Sequence, residues 1–492
     1  MTKQVSHILT FIVAMASALL MNAQQGLRPR GDVNCDWEVN IGDINALTDS
    51  IFKGAKYHHF YGYAADVNDD REYTIADINM VFDAIMGAQL PPMPSFSGTL
   101  PVLYINTEGH RDIVSKEKED YLHADWWLDA MGLEGQESIG SADAPLGMLI
   151  KGRGNYTWNH YDKKSFRIKL DEKQPLMGMD SNRHFCLLAH ADDYLAMLKN
   201  TMGLELSRRI GMAYTPAQAP VEVVLNGRYI GLYFLTEKIR VGKHRVNIEE
   251  QNDLETDPAK VTGGWLLEMA NTHEGTTMYF HEGEGDGWVG ITPHSPEELS
   301  RRQYDYIWNY LNNATQAIYS ADKTSTEWEK YIDIDTMAMF YIIGEIMDDL
   351  EHFAGSTYMY KHAGDTTRLV FGPVWDFGNS FQRWAIFHDT TFQYFLYEQP
   401  TVFTSHWITE VAKYPHFQQV VRRHWQEFHD SGFNGLNISQ FIDDHVESIR
   451  AAYEANQVLW RHPSIDIEKE FFKTFIHRKI NWLQSQWGTD EP

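Results

Sequence analysis

The strings DVNCDWEVNIGD, opening at Asp32, and DVNDDREYTIAD, opening at Asp66, are one twelve-residue loop written twice, 34 residues apart. Duplication at a fixed period implies one supersecondary unit stacked on its own copy. Oxygen-bearing side chains recur in register: Asp32, Asn34, Asp36, Asn40 and Asp43 in the first loop, and Asp66, Asn68, Asp70, Glu72, Thr74 and Asp77 in the second. Calcium takes about six to eight hard oxygen ligands, and a loop of this length can wrap them around one ion. Each loop runs into an apolar pattern of helical spacing, Ile44, Leu47 and Ile51, then Ile78, Val81 and Ile85. The expectation is a small helical module with two calcium loops over residues 27–88. One feature departs from the ion-loop pattern: position six, which needs Gly for a sharp turn, holds Trp37 and Arg71.

The remainder of the 492 residues exceeds one compact core, so further domains are expected. A hydrophobic fraction of 43% and an aromatic fraction of 13% suit folded domains rather than a disordered chain. The net charge of -26 argues against a nucleic-acid binder, which would normally display a basic face. At the N-terminus Lys3 and His7 precede an apolar run from Ile8 to Met21, followed by Asn22 and Ala23. That run is shorter than the roughly 20 residues of a membrane span and reads as an export signal over residues 1–23. The mature chain is therefore expected to be secreted, periplasmic or at the cell surface, without spanning the membrane. Two cysteines, Cys35 and Cys186, fall in different expected domains, which argues against a disulfide framework.

Prolines 91, 92 and 94 mark residues 89–98 as a linker. Beyond it the texture is α+β, strand-rich first and helix-rich later. VEVVLNGRYIGLYFLTE reads as a β-hairpin turning at Asn226-Gly227. Helical spacing follows over Pro296 to Ile318 and Asp333 to Leu350, and again from about Val402.

The loop-plus-helix duplication resembles the dockerin domain, which implies calcium binding and docking onto a cohesin-like or other surface protein. From about residue 99 to 487 the chain resembles the CotH (spore coat protein H) kinase-like family. Four ordered segments carry that likeness: KGRGNYTWNHYDKKSFRIKL from Lys151, LLAHADDYLAMLKNTMGLELSRRIG from Leu187, LNGRYIGLYFLTEKI from Leu225, and STYMYKHAGDTTRLVFGPVWDFGNSF from Ser356. The resemblance implies a divergent protein-kinase-like domain that binds ATP with magnesium or manganese and phosphorylates a serine-containing protein.

Phosphoryl transfer needs cations on the phosphates, carboxylates on the metal and a group that orients the acceptor hydroxyl. Lys164, placed by strand alternation on the face of Phe166, Ile168 and Leu170, is one candidate phosphate contact. Arg153, between Gly152 and Gly154, is a second, and Glu237 or Glu268 is a candidate for the nucleotide cleft. Asp376, heading an Asp-Phe-Gly string, is the expected metal ligand. The resemblance puts the catalytic acid at Glu351, where the family has Asp, with Asp349 or Asp348 serving instead if the loop differs in length. It puts Ser356 where a second metal would meet Asn. Asp192, Asp193 and Arg208 lie in the same family segments. The resulting expectation is a calcium-tethered protein serine kinase, with a non-catalytic surface or assembly protein as the alternative.

Overall fold

A computed structural model describes residues 27–54, 62–68, 70, 72–91, 94–270, 276–281, 288–382, 390–398, 406–432 and 435–488. The export segment and Arg71 lie outside these residues. Helices and sheets are mixed as expected, and the chain divides into two compact units. One takes the described residues up to Ala191 with Ala219–Thr236 and Ile449–His462; the other takes Asp192–Gln218, Glu237–Ser448 and Pro463 onward.

The first unit begins with the duplicated module. Helices α1 (Ile41–Lys53) and α2 (Ile75–Ile85) are each opened by a capping box, Asn40 with Asp43 and Thr74 with Asp77. Thus the last acid of each loop is also a helix-capping group. Val33, Ala46, Leu47, Ala65, Val67 and Val81 form the module's core.

Seven strands then close a barrel in the order β1-β2-β3-β4-β5-β7-β6. They are β1 (Val102–Thr107), β2 (Leu122–Asp129), β3 (Leu146–Arg153), β4 (Ser165–Gln174), β5 (Asn182–Leu188), β6 (Gln218–Leu225) and β7 (Arg228–Glu237). Closure comes from β1, antiparallel to β2 and parallel to β6, so no edge is left unpaired. Alternation sets the buried side of the wall: Ile150 faces Ile168, which faces Phe185, and Phe166 faces Leu187. The β6–β7 turn is the expected Asn226-Gly227, both residues at positive φ as a type I′ turn requires. The end of the linker is pinned, since Ser97 donates to the buried Glu222 carboxylate through N–H (2.8 Å) and hydroxyl (2.6 Å). Cys35 and Cys186 are free thiols.

The second unit holds a five-stranded antiparallel sheet, β12-β11-β8-β10-β9, formed by β8 (Trp265–Met269), β9 (Met278–His281), β10 (Trp288–Ser295), β11 (Thr357–Lys361) and β12 (Leu369–Phe371). Its helices include α3 (Lys199–Ile210), α4 (Arg301–Ile318), α5 (Ile334–Met347), α6 (Pro415–Asp430) and α8 (Ile465–Trp487); α7 (Gly435–Trp460) precedes the last. Helix α5 is apolar nearly all round and buried nearly throughout, the mark of a central helix. No helix among the described residues is long and apolar enough to cross a membrane.

A buried charge network fastens the end of α5 to α8. Lys479 Nζ lies 3.0 Å from Glu345 and 3.4 Å from Asp348, all three fully buried. The Tyr394 carbonyl accepts from the same amine (2.7 Å), and the Tyr394 hydroxyl donates to Asp348 (2.7 Å). Removing one partner of such a set strands the others, at a cost of about 3–5 kcal/mol. Lys479→Ala is therefore expected to lower unfolding free energy by that amount in urea titration, and a change below about 1 kcal/mol would contradict this assignment.

Candidate functional site

The Asp-Phe-Gly string is held by the first turn of α3. Asn200 Oδ1 accepts from the Phe377 N–H (2.9 Å), and Lys199 Nζ donates to the Gly378 carbonyl (2.9 Å). One turn further along α3, Gly203 has no side chain because the Phe377 ring fills that space; a Cβ there would sit 2.2 Å from the ring. The start of α3 is set in turn by Asp193, whose carboxylate accepts from the Leu195 and Lys199 N–H groups (2.9 and 3.0 Å). Asp376 itself adopts a left-handed backbone, φ 60°, which Asp tolerates better than bulkier residues.

Carboxylates gather at this turn. A Cβ on Gly378 would lie 3.2 Å from Asp192 Oδ2 and 3.3 Å from Asp376 Oδ1, so the glycine leaves open the space that these two acids border. Asp349, 2% exposed, pairs in a β-bridge with Ser380, and Glu351 accepts from the Asn379 amide. Asp349 in turn accepts from the Glu351 N–H (3.2 Å), fixing that loop. Burial pushes the Asp349 carboxyl well above the usual range, and the charges of Glu351 and Asp376 add to it while Lys199 opposes. Burial likewise raises Asp192, with Lys199 again opposing and Asp376 and Asp193 reinforcing. The sequence had marked Asp192 only as a residue within a family segment; nothing in its local string distinguishes it from a structural acid.

Neighbouring acids have different employment. Asp348 turns into the Lys479 network, away from the role considered for it. Glu237 is consumed by Arg245 (2.6 Å), Tyr214 and the Ala217 N–H, and Glu268 pairs with His294. Ser356 precedes β11 with φ 48°. In the first unit, β4 begins only at Ser165, so strand alternation does not reach Lys164. Its amine donates to the Trp158 carbonyl (2.6 Å) and lies 5.4 Å from the Trp158 ring centre. Its neighbour Lys163 is buried, donating to the Ala189 and Leu232 carbonyls (2.8 and 2.5 Å), and burial pushes its ammonium well below the ordinary lysine value. Arg153 is half-buried at the end of β3.

Among the described residues, no group of three or more His, Cys, Asp or Glu is arranged to hold a metal ion. A magnesium ion binding triphosphate asks for less: one or two carboxylates, with phosphate oxygens and water completing the octahedron. Asp192 and Asp376, facing the space beside Gly378, meet that smaller demand. The same two acids with Lys199 form an arrangement suited to an anion that brings its own cation.

Behind the turn, His352 stacks on Phe340 (4.0 Å between ring centres) and faces Phe377 (6.1 Å). Burial holds this imidazole down at about 3, against a weaker opposing pull from the Phe340 carbonyl. In the unfolded chain it titrates near 6.5, so as pH falls the unfolded state takes the proton first. Its contribution is complete above about pH 6.5 and drains away as pH falls toward the folded value. His352→Gln is expected to lose roughly 1.5 kcal/mol less stability than the parent between pH 6.5 and 5, measured by denaturant unfolding. Equal losses would contradict a neutral buried imidazole.

A family model described as CotH kinase protein matches residues 150–483. No curated protein matches the chain. The matched segment takes in the second half of β3, β4 to β12, the Asp376 turn and most of α8, and it spans more than half of the sequence. The chain belongs to the CotH kinase protein family.

Proposed function

We propose that this chain is an exported, metal- and ATP-dependent protein serine kinase of kinase-like fold, tethered through a calcium-binding, dockerin-like module. The observation that carries the reading is the Asp376-Phe377-Gly378 turn, gripped by Lys199 and Asn200 with Asp192 and Asp376 beside Gly378. A bound magnesium or manganese ion would neutralise charge developing on the transferred phosphoryl group. Asp376 and Asp192 are the residues that would hold it, and Lys199 supplies fixed positive charge next to them.

Glu351 is better suited than Asp349 to receive the proton of a serine hydroxyl. It is only half-buried and oriented by Asn379, whereas Asp349 is sealed off and acts by holding the Glu351 backbone. Lys164 and Arg153, both in the first unit, are the candidate phosphate contacts read from their local sequence. One observation favours a second reading, a non-catalytic surface or assembly protein: the acid at position 351 is Glu, whose extra methylene moves the carboxylate by about 1 Å, enough to cost roughly a hundredfold in rate.

Full-length protein given radiolabelled ATP with magnesium or manganese should label itself or a serine-rich protein. Asp376→Ala should abolish labelling, Glu351→Gln should cut it at least a hundredfold, and Lys164→Met and Arg153→Gln should raise the ATP requirement. Absence of labelling, with no metal-dependent thermal shift on adding ATP, selects the non-catalytic reading.

For calcium, what supports the reading is the donor set, with carboxylates at loop positions one, five and twelve and an amide oxygen at three, twice in register. The two loops also share a hydrogen-bond plan: Asp43 accepts from Val33 N–H (2.7 Å) as Asp77 does from Val67 N–H (2.9 Å). Calcium at a hundred times its dissociation constant should stabilise the module by about 2.7 kcal/mol, reversed by chelator. A melt indifferent to both would remove calcium from the account.

A further inference from the structure

The segment that carries Asp192 enters α3 through a turn that its own residues do not favour. The Leu198 N–H donates to the Leu195 carbonyl (3.2 Å), and the two residues between them, Ala196 and Met197, take φ 58° and 55°. Positive φ at both central positions is the pattern of a type I′ turn, for which Asn and Gly are the usual residues. Alanine and methionine hold that conformation only where the surrounding structure imposes it. Just past Gly378, Phe381 has φ 57° as well, a backbone that a bulky side chain rarely adopts.

One face of α8 meets both strained points. Glu468, in the first turn of that helix, is buried, and its Oε2 accepts from the Ala196 N–H (2.7 Å). Phe472 and Phe475 set their ring centres 5.6 and 5.9 Å from that of Phe381. Residues spaced by four and seven share one side of a helix. The same stripe therefore supports the arm that carries Asp192 and the arm that follows the Asp376-Phe377-Gly378 turn.

From the strained turn to the site the connections are short. Asp193 accepts from N–H groups at both ends of the turn region, Leu195 and Lys199 (2.9 and 3.0 Å). The Lys199 ammonium then reaches the Asp192 carbonyl (3.5 Å) and the Gly378 carbonyl (2.9 Å). Where the chain reverses at Ala196 thus decides where Asp192 and Lys199 stand relative to each other.

We infer that Glu468 is a positioning residue of the metal–triphosphate site: by holding the Ala196 N–H it keeps the left-handed turn in place, and the turn sets Asp192 beside Gly378. The inference rests on the reading of that site given above and deepens it. Asn-Gly at these two positions would take the turn unaided. Backbone strain maintained by a distant buried side chain is characteristic of places where function needs a geometry that the local sequence would not adopt.

Calorimetric titration of manganese with a non-hydrolysable ATP analogue into the full-length chain, below the melting temperature of each variant, tests it. Glu468→Ala should weaken binding roughly 10–100-fold, the usual loss when a group that orients a metal ligand is removed. Glu468→Gln retains an oxygen able to accept from the Ala196 N–H and should bind within about threefold of the parent. Should Glu468→Ala fail to fold, Glu468→Asp, its carboxylate drawn back by one methylene, takes its place with the same loss expected. Parent-like binding by the Ala or Asp variant, or an equal loss in Glu468→Gln, overturns the inference and leaves the site reading intact. No binding by the parent overturns the site reading itself, and this inference with it.

Discussion

The hold of α3 on the Asp376-Phe377-Gly378 turn is the contact from which the rest of the candidate site follows. Two adjacent residues, Lys199 and Asn200, seize a carbonyl and an N–H of that turn, and the missing side chain of Gly203 admits Phe377 behind it. With the backbone fixed this way, Asp376 and Asp192 both border the space beside Gly378, and Asn379 meets Glu351. The geometry concentrates negative charge where a side-chain ammonium opposes only part of it. Such a cluster is costly in a closed interior unless an outside cation joins it.

Buried charge elsewhere in the chain has a different character. Lys479 is shared by Glu345 and Asp348, and Glu237 is met by Arg245, so in both cases opposite charges answer each other within the fold. Those sets join distant segments and need nothing further. Acids raised by burial and by neighbouring carboxylates, as Asp349 is by Glu351 and Asp376 and Asp192 by Asp376 and Asp193, belong to the kind of environment that active sites employ. Burial raises Glu345 as well, so the difference lies in the neighbours: Lys479 lies against Glu345, whereas the acids of Glu351 and Asp376 reinforce Asp349.

Local chemistry was readable from sequence, and long-range placement was not. The duplicated loops, the Asn226-Gly227 hairpin and the Asp376 turn each declare themselves within a dozen residues, because ligand spacing and turn conformation are local demands. Lys164 is picked out by extending strand alternation back past Ser165, where β4 begins, so the alternation does not fix that side chain. Asp348 and Asp349 are neighbours with opposite fates, decided by Lys479, 131 positions beyond Asp348. Barrel closure depends on β1 pairing in parallel with β6, a contact that no local pattern announces.

The central claim is that the acids beside Gly378 receive a metal together with a triphosphate. Paramagnetic resonance of manganese added to the full-length protein, with and without a non-hydrolysable ATP analogue, addresses it without relying on turnover. The account predicts that the analogue converts free manganese signal to bound signal in the parent chain, and that Asp376→Asn removes that conversion. Manganese binding that ignores the analogue, or that survives unchanged in Asp376→Asn, would contradict it.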